Sequence, residues 1–165
     1  MSKGIDLSYA VKKPVAIGDV RSLSLNVKGW AIGWAFFQGE HIQRVGHFSV
    51  RGHVKGNKVP IHSMVLAAFY ALTKLASDFH IQLVISSTPK AEGPLWSLPP
   101  VLAASRSLNY KDLPDWRSHV EQDMKALRGW ATLLLGHAPE NELETVAIAL
   151  AVAATKINDA HLRIP

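Results

Sequence analysis

The sequence contains no cysteine, which excludes disulfide bonds, thiolate zinc sites and a cysteine nucleophile. It also contains no apolar run approaching the roughly 20 residues that a membrane-spanning helix needs. The first residues, MSKGIDLSYAVKK, lack the apolar segment of a secretory signal, so none is expected. A chain without cysteine suits a reducing compartment, and we therefore expect a cytoplasmic protein without membrane attachment.

Size and positive charge are the features that the composition does supply. The 165 residues fit one domain, and a hydrophobic share of 48% with 19% charged residues is typical of a globular chain. The formal net charge is +5 and the pI is about 9.6. A basic surplus is typical of proteins that bind polyanions, but many basic domains bind none, so charge alone leaves the partner open.

The first part of the chain predicts three antiparallel strands. Residues 1–20 carry three lysines and little periodicity, and we interpret them as an arm that precedes a domain over 21–165. Alternating polar and apolar residues over Arg21–Asn26, followed by Trp30–Gln38 and His41–Val50, predict a meander of three strands.

The middle of the chain alternates loops with regular elements. Arg51–Val59 is predicted to be a basic loop, and Pro60 to open a helix that continues over Ile61–Phe79. The β-branched stretch Ile81–Ser86 predicts a central strand. Four prolines and a glycine make Ser87–Pro100 a long loop, a feature that favours a functional role.

The last part predicts mainly helices. Val101–Arg106 suits a short helix and Ser107–Tyr110 a short strand. A helix is predicted over Asp115–Leu135, with Asp115 as its N-cap. Asn141–Ile157 is the clearest helix, capped by Asn141 and so apolar that it should be buried. The order of elements predicts an α/β domain with a mixed sheet flanked by helices.

Three local patterns in this order resemble the ribonuclease H-like superfamily, and within it the RuvC-type Holliday junction resolvases. The first is the stretch Asn26–Ala35 (NVKGWAIGWA), which is similar to the family's end of strand one, turn and "TGWA"-like strand two. The second is the helix over residues 60–79 followed by Leu83-Val84-Ile85. The third is the ending SHVEQDMKALRGWATLLLGHAPENELETVAIALA. The resemblance covers roughly residues 21–157 and implies a ribonuclease H-like fold with a cleft that binds DNA.

The resemblance also locates the positions at which the family holds divalent metal ions. The aspartate that ends strand one falls on Asn26, the glutamate that ends strand four on Ser86 or Ser87, and the first carboxylate of the last helix on Asn141. Only the second carboxylate of that helix is matched, by Glu144. Phosphodiester hydrolysis by two metals needs anionic oxygen ligands around ions about 4 Å apart, and one glutamate does not supply them.

The hypothesis drawn from this comparison is a degenerate, non-catalytic relative that binds nucleic acid and needs no cofactor. The alternative is an active Mg-dependent endonuclease, a junction resolvase whose carboxylates are relocated among Asp19, Glu92, Glu140 and Glu142, with Glu144 as a metal ligand. A third possibility is a scaffold that holds a protein partner.

Basic and aromatic residues near the expected cleft are the candidate ligands of nucleic acid, with DNA favoured over RNA. Phosphate contacts are expected from cations and base stacking from a tryptophan. Each has an ordinary alternative as a solvated charge or a core residue. His41, His47 and His53 form no recognisable metal set in the sequence, and His119 is interpreted as structural. The candidates are Lys28, Trp30, Arg51, Lys55, Lys58, Lys90 and Arg117, with His53 in the same loop.

The family's dimers form through the long helix after strand three, so the resemblance implies a possible homodimer. The matching segment here is the apolar helix over residues 60–79. The same helix would equally serve if all of its apolar residues were used in the core of its own chain.

Overall fold

The computed structural model describes residues 20–39, 41–87, 93–120 and 123–162, and for 157–162 it describes the backbone only. The candidates Asp19, Lys90 and Glu92 therefore lie outside the described residues. The predicted arm over residues 1–20 also lies outside them, except for Val20. The strands and α-helices, in chain order, are β1 Arg21–Lys28, β2 Ala31–Gln38, β3 His41–Ser49, β4 His53–Val54, β5 Asn57–Lys58, α1 Ile61–Asp78, β6 Leu83–Ser86, α2 Leu98–Ser105, β7 Asn109–Asp112, α3 Met124–Leu135 and α4 Glu142–Leu162. A 3₁₀ helix at Trp116–His119 lies between β7 and α3.

Five strands form one mixed sheet in the order β3-β2-β1-β6-β7. The first three pair antiparallel as the predicted meander, and β6 and β7 add parallel to β1. The α/β class, the mixed sheet and its flanking helices are confirmed. Because β1, β3, β6 and β7 all run in one direction, their carboxyl ends meet at one edge of the sheet.

Helices α1 and α2 cover one face of the sheet. The odd-numbered residues of β1, such as Leu23 and Leu25, point to this face and are fully buried. They pack with Ala68 and Leu72 of α1 and with Leu102 of α2. The apolar side of α1 is thus anchored in the core by residues at helical spacing.

Helix α4 covers the opposite face and lies very close to β1 and β2. The even-numbered residues of β1 face it and are small or polar, so the helix backbone can approach the strand. Ser24 Oγ donates to the carbonyl of Ala147 at 2.6 Å. Ala35 on β2 is buried against Ala147 and Ile148. The prediction that this helix is buried is confirmed.

Three predicted boundaries in the middle of the chain were wrong in detail. The basic segment after β3 is a small hairpin rather than a loop, closed by Val59 N donating to Gly52 O at 2.8 Å. Pro60 takes the N-cap position, one residue before α1 begins. Prolines of the predicted long loop form the start of α2, where a proline can occupy the first turn without losing a hydrogen bond.

The predicted helix over Asp115–Leu135 is divided in two. Asp115 precedes only the 3₁₀ turn, and its side chain makes no capping bond. The true cap of α3 is Asp123, whose Oδ1 accepts from Ala126 N at 2.8 Å. Trp116 is buried in the core beside α4. This contact separates the 3₁₀ turn from α3.

None of the described helices combines the length and the apolar composition that a transmembrane span requires.

Candidate nucleic-acid interface

The carboxyl edge of the sheet gathers most of the predicted site residues. The β1–β2 turn carries Lys28 and Gly29, and a Cβ placed on Gly93, in the loop after β6, would lie 3.4 Å from Gly29 Cα. The β4–β5 hairpin starts beside the same turn, since Val50 N donates to Trp30 O at 2.9 Å. The turn, the hairpin and the loop after β6 therefore form one continuous edge.

A row of three residues crosses the sheet beneath the first turn of α4. Asn26 of β1 pairs with Gly33 of β2, and Gly33 pairs with His47 of β3. The backbone of Leu143 rests directly on Gly33, where a Cβ would clash with its carbonyl group. We call Asn26, Gly33 and His47 the cross-sheet row.

Asn26 uses its side chain as a hydrogen-bond donor. Its Nδ2 lies 3.3 Å from the carbonyl oxygen of Leu143, and the residue is half-buried. An amide satisfies that carbonyl, whereas a carboxylate would have no proton to offer it. The interaction explains why an asparagine suits this position in this chain.

Glu144 points to the other end of the row. It is buried, with its Oε2 2.7 Å from His47 Nδ1, so that the ring N–H donates to the carboxylate. Its Oε1 accepts from Glu140 N at 3.1 Å. The one carboxylate matched by the family pattern is thus held beside β3 rather than beside Asn26.

Ser86 does not lie on the face of the sheet that a metal ligand at the end of strand four would need. It pairs with Leu25, whose side chain is in the core beneath α1, and neighbours in register share a face. Its hydroxyl is 2.7 Å from Tyr110 Oη. Of the two residues to which the resemblance assigned the strand-four glutamate, Ser86 therefore does not lie on the Asn26 face, and Ser87 is the next position on that face.

Asn141 has a structural role that the sequence predicted. Its Oδ1 accepts from Glu144 N at 3.1 Å, as expected of an N-cap. Its own carbonyl accepts from Thr145 N at 3.2 Å. The side-chain oxygen of Asn141 is consequently already engaged by the helix.

These four positions do not fit a pair of magnesium ions. Asn26 and Asn141 are neutral and engaged with the backbone of α4. Ser86 faces the other side of the sheet, and Ser87 offers only a neutral hydroxyl. Glu144 shares its carboxylate with an imidazole nitrogen, a ligand that magnesium does not favour. The donor set that two-metal chemistry requires is not brought together at these positions.

The segment from β1 to the end of the hairpin is strongly basic. Residues 20–60 contain six lysines and arginines, and Glu40 is their single carboxylate. The hairpin contributes three of the six cations, and all are exposed, as is His53. The hairpin cations are Arg51, Lys55 and Lys58.

The other predicted ligands of nucleic acid within the described residues are Lys28, Trp30 and Arg117, and each has different surroundings. Lys28 is exposed and lies 3.9 Å from Glu142 Oε1, a weak surface pair. Trp30 is half-buried against the core, which favours a packing role over stacking on a base. Arg117 lies over the Trp116 ring at 4.9 Å and donates to Met124 Sδ at 3.6 Å, and Met124 lines a pocket together with Glu142.

Sequence reasoning missed two groups near the start of α4. Lys125 and Arg128 of α3 line a pocket together with Glu142. His47 lies with Glu140 and Glu144, and the possible ligand atoms of these three residues are within 4.8 Å of one another. Only the pairing of β3 with β2 and the position of α4 across them reveal these neighbours, because they are distant in sequence.

The comparisons with known proteins rest on structure, since no protein-family model and no curated protein sequence matches this chain. Thermus thermophilus RuvC superposes with a TM-score of 0.67 at 10% identity, over 84% of this chain and 96% of RuvC. The chain has a RuvC-like fold.

The same RuvC-like fold is evident in two further structures. T. thermophilus RuvC in complex with a Holliday junction substrate aligns with a TM-score of 0.65 at 12% identity, over 87% of this chain and 96% of that one. The yeast mitochondrial Holliday junction resolvase Ydc2 aligns at 0.59 and 10% identity, over 90% and 84%. At these identities the likeness establishes the ribonuclease H-like fold and nothing about activity.

The role of Asn26 gives a testable prediction. Asn26→Asp removes the donor to Leu143 O and sets a carboxylate against it, so we expect a loss of about 2 kcal/mol in the free energy of unfolding. The melting temperature should fall by roughly 4–8 °C. Asn109→Asp, at an exposed position of β7, should change it little. An Asn26→Asp variant as stable as the wild type would contradict the described contact.

Proposed function

We propose that this protein binds DNA, branched or structured DNA in particular, through the carboxyl edge of its sheet, and does not cut it at the family's metal positions. The observation that carries the proposal is the exposed basic hairpin, with Arg51, Lys55 and Lys58 on one short element. Cations of this kind neutralise phosphates and release counterions. The likeness of the fold to RuvC in complex with a Holliday junction favours branched DNA as the ligand.

The donor geometry supports the absence of cleavage at those positions. Asn26 and Asn141 are engaged with the backbone of α4, and Ser86 faces the opposite side of the sheet. Recovering a two-metal centre would need new carboxylates and a displaced helix start. Binding without a cofactor is consequently the simplest function for this edge.

An active endonuclease is the second candidate, favoured by one observation. Glu140 and Glu144 come together with His47 near the basic edge, where a divalent ion would be close to bound DNA. This alternative predicts metal-dependent cleavage that Glu144→Ala abolishes.

One titration distinguishes these functions. Pure protein is incubated with labelled four-way junction, duplex, single-stranded DNA and RNA, in EDTA or in magnesium or manganese. The proposal predicts a retarded junction complex in EDTA and intact DNA in every tube. Metal-dependent nicking lost in Glu144→Ala would establish the endonuclease, and failure to bind any nucleic acid would favour the protein scaffold.

We also propose that two copies associate through α1. Its core side is buried, but Leu66 and Tyr70 are 55% and 75% exposed on the outer side. The helix is therefore not wholly used in its own core. Analytical ultracentrifugation should give the mass of a dimer for the wild type, and Leu66→Glu should shift it to that of a monomer. A monomeric wild type at micromolar concentration would contradict this arrangement.

A further inference from the structure

His47, Glu140 and Glu144 form a compact cluster at the outer end of the cross-sheet row. Each offers one ligand atom, and these atoms all lie within 4.8 Å of one another. We propose that this cluster binds one transition-metal ion of the zinc type, at a site that shares only Glu144 with the metal positions that the fold family implies.

The chemistry of the donors selects the class of ion. One imidazole nitrogen with two carboxylate oxygens is a set that zinc accepts, with bonds of about 2.0–2.2 Å. Magnesium and calcium prefer oxygen ligands alone, so the histidine disfavours them. The cluster therefore differs in its ligands from an all-carboxylate magnesium centre.

The local structure holds the cluster nearly in place. Glu144 is fixed by burial, with its side chain 5% exposed, and by its contacts with His47 Nδ1 at 2.7 Å and Glu140 N at 3.1 Å. His47 is set by its place in β3, opposite Gly33. Ligands around a tetrahedral zinc ion lie about 3.3 Å apart, so the three ligand atoms have to move closer together, and Glu140 is the exposed carboxylate of the cluster.

Charge supplies the second reason for a cation. Two carboxylates within this distance repel one another. A divalent ion between them offsets that repulsion and takes the place of the hydrogen at His47 Nδ1, with the ring then carrying its hydrogen on Nε2. Three protein ligands would leave a coordination position open to solvent, because His47 and Glu140 are exposed.

The test uses untagged full-length protein stripped with EDTA, which is then removed. Calorimetric titration with Zn²⁺ alone should give one ion per chain and a raised melting temperature, whereas Mg²⁺ should give neither. His47→Gln and Glu140→Gln should each weaken zinc binding at least about tenfold, since even the loss of supporting groups costs that much. Both residues are exposed enough for the variants to fold.

Matched substitutions nearby provide the control. Glu142→Gln changes another carboxylate of the same helix start, and His53→Gln another exposed histidine, and both should bind zinc like the wild type. Absence of a one-to-one site, or equal zinc affinity in His47→Gln, would overturn the proposal. DNA binding measured in EDTA does not depend on this site, so its failure would leave the proposed function unaffected.

Discussion

Replacement of Gly33 by alanine is expected to cost about 3 kcal/mol or more in the free energy of unfolding, because the new methyl group has no space. Its Cβ would meet the carbonyl group of Leu143 and lie 2.9 Å from Leu143 Cβ. The first contacts are backbone atoms of α4, which cannot rotate away. The start of the helix would have to lift from the sheet.

That displacement would also break the contacts on either side of Gly33. Asn26 would lose its hydrogen bond to Leu143 O, and Glu144 would move away from His47. We expect the melting temperature to fall by roughly 6–12 °C. Urea denaturation followed by circular dichroism measures the loss directly.

Gly129→Ala is the matched control for this substitution. Gly129 lies within α3, and a Cβ there meets nothing within 4 Å. Alanine is the better helix former by about 0.5–1 kcal/mol, so this variant should be slightly stabilised. A Gly33→Ala protein as stable as Gly129→Ala would show that α4 does not rest on the cross-sheet row.

The second large effect is expected on DNA affinity when the hairpin loses charge. The double variant Lys55→Asn with Lys58→Gln should bind a four-way junction roughly tenfold more weakly than the wild type, and the slope of log K against log salt should be shallower by about 2. Lys55 has a φ of +52°, and asparagine tolerates that conformation better than glutamine. The hairpin should consequently keep its turn.

A second double variant removes the same amount of charge from another part of the surface. Lys74 lies near the end of α1, where it pairs with Asp78 at 3.3 Å, and Arg106 follows α2, beyond the amino ends of the parallel strands. Lys74→Gln with Arg106→Gln should leave the salt slope nearly unchanged. Equal losses in the two double variants would mean that net charge, rather than the hairpin, governs binding.

The meander was predictable because its signal is local. Alternation over β1 to β3 directly reports which residues face the core, and the strand after α1 was marked by its β-branched residues. Asn141 was also predictable as a cap, because a capping side chain acts within three residues. These features need no knowledge of the rest of the chain.

The start of α3 was not predictable by the same reasoning. Asp115 and Asp123 are equally suitable caps, and only burial of Trp116 against α4 decides between them. The hairpin was missed because its strands have two residues each and its turn carries lysine at a positive φ, an uncommon choice.

The candidate site depended still more on long-range structure. The face on which Ser86 lies follows from its register with Leu25, which no local pattern reveals. His47 and Glu144 are 97 residues apart and meet only because α4 crosses β2 and β3. Residue types predicted a basic edge, but their partners emerged from the fold.

The most direct test of the central claim is the salt dependence of junction binding in EDTA. Fluorescence anisotropy of a labelled four-way junction is followed as wild-type protein is added at several salt concentrations. Contacts from Lys28, Arg51, Lys55 and Lys58 predict a linear plot of log K against log salt with a slope of about −3.6. Absence of binding at low salt, or an affinity that does not change with salt, would contradict a DNA-binding role for this edge.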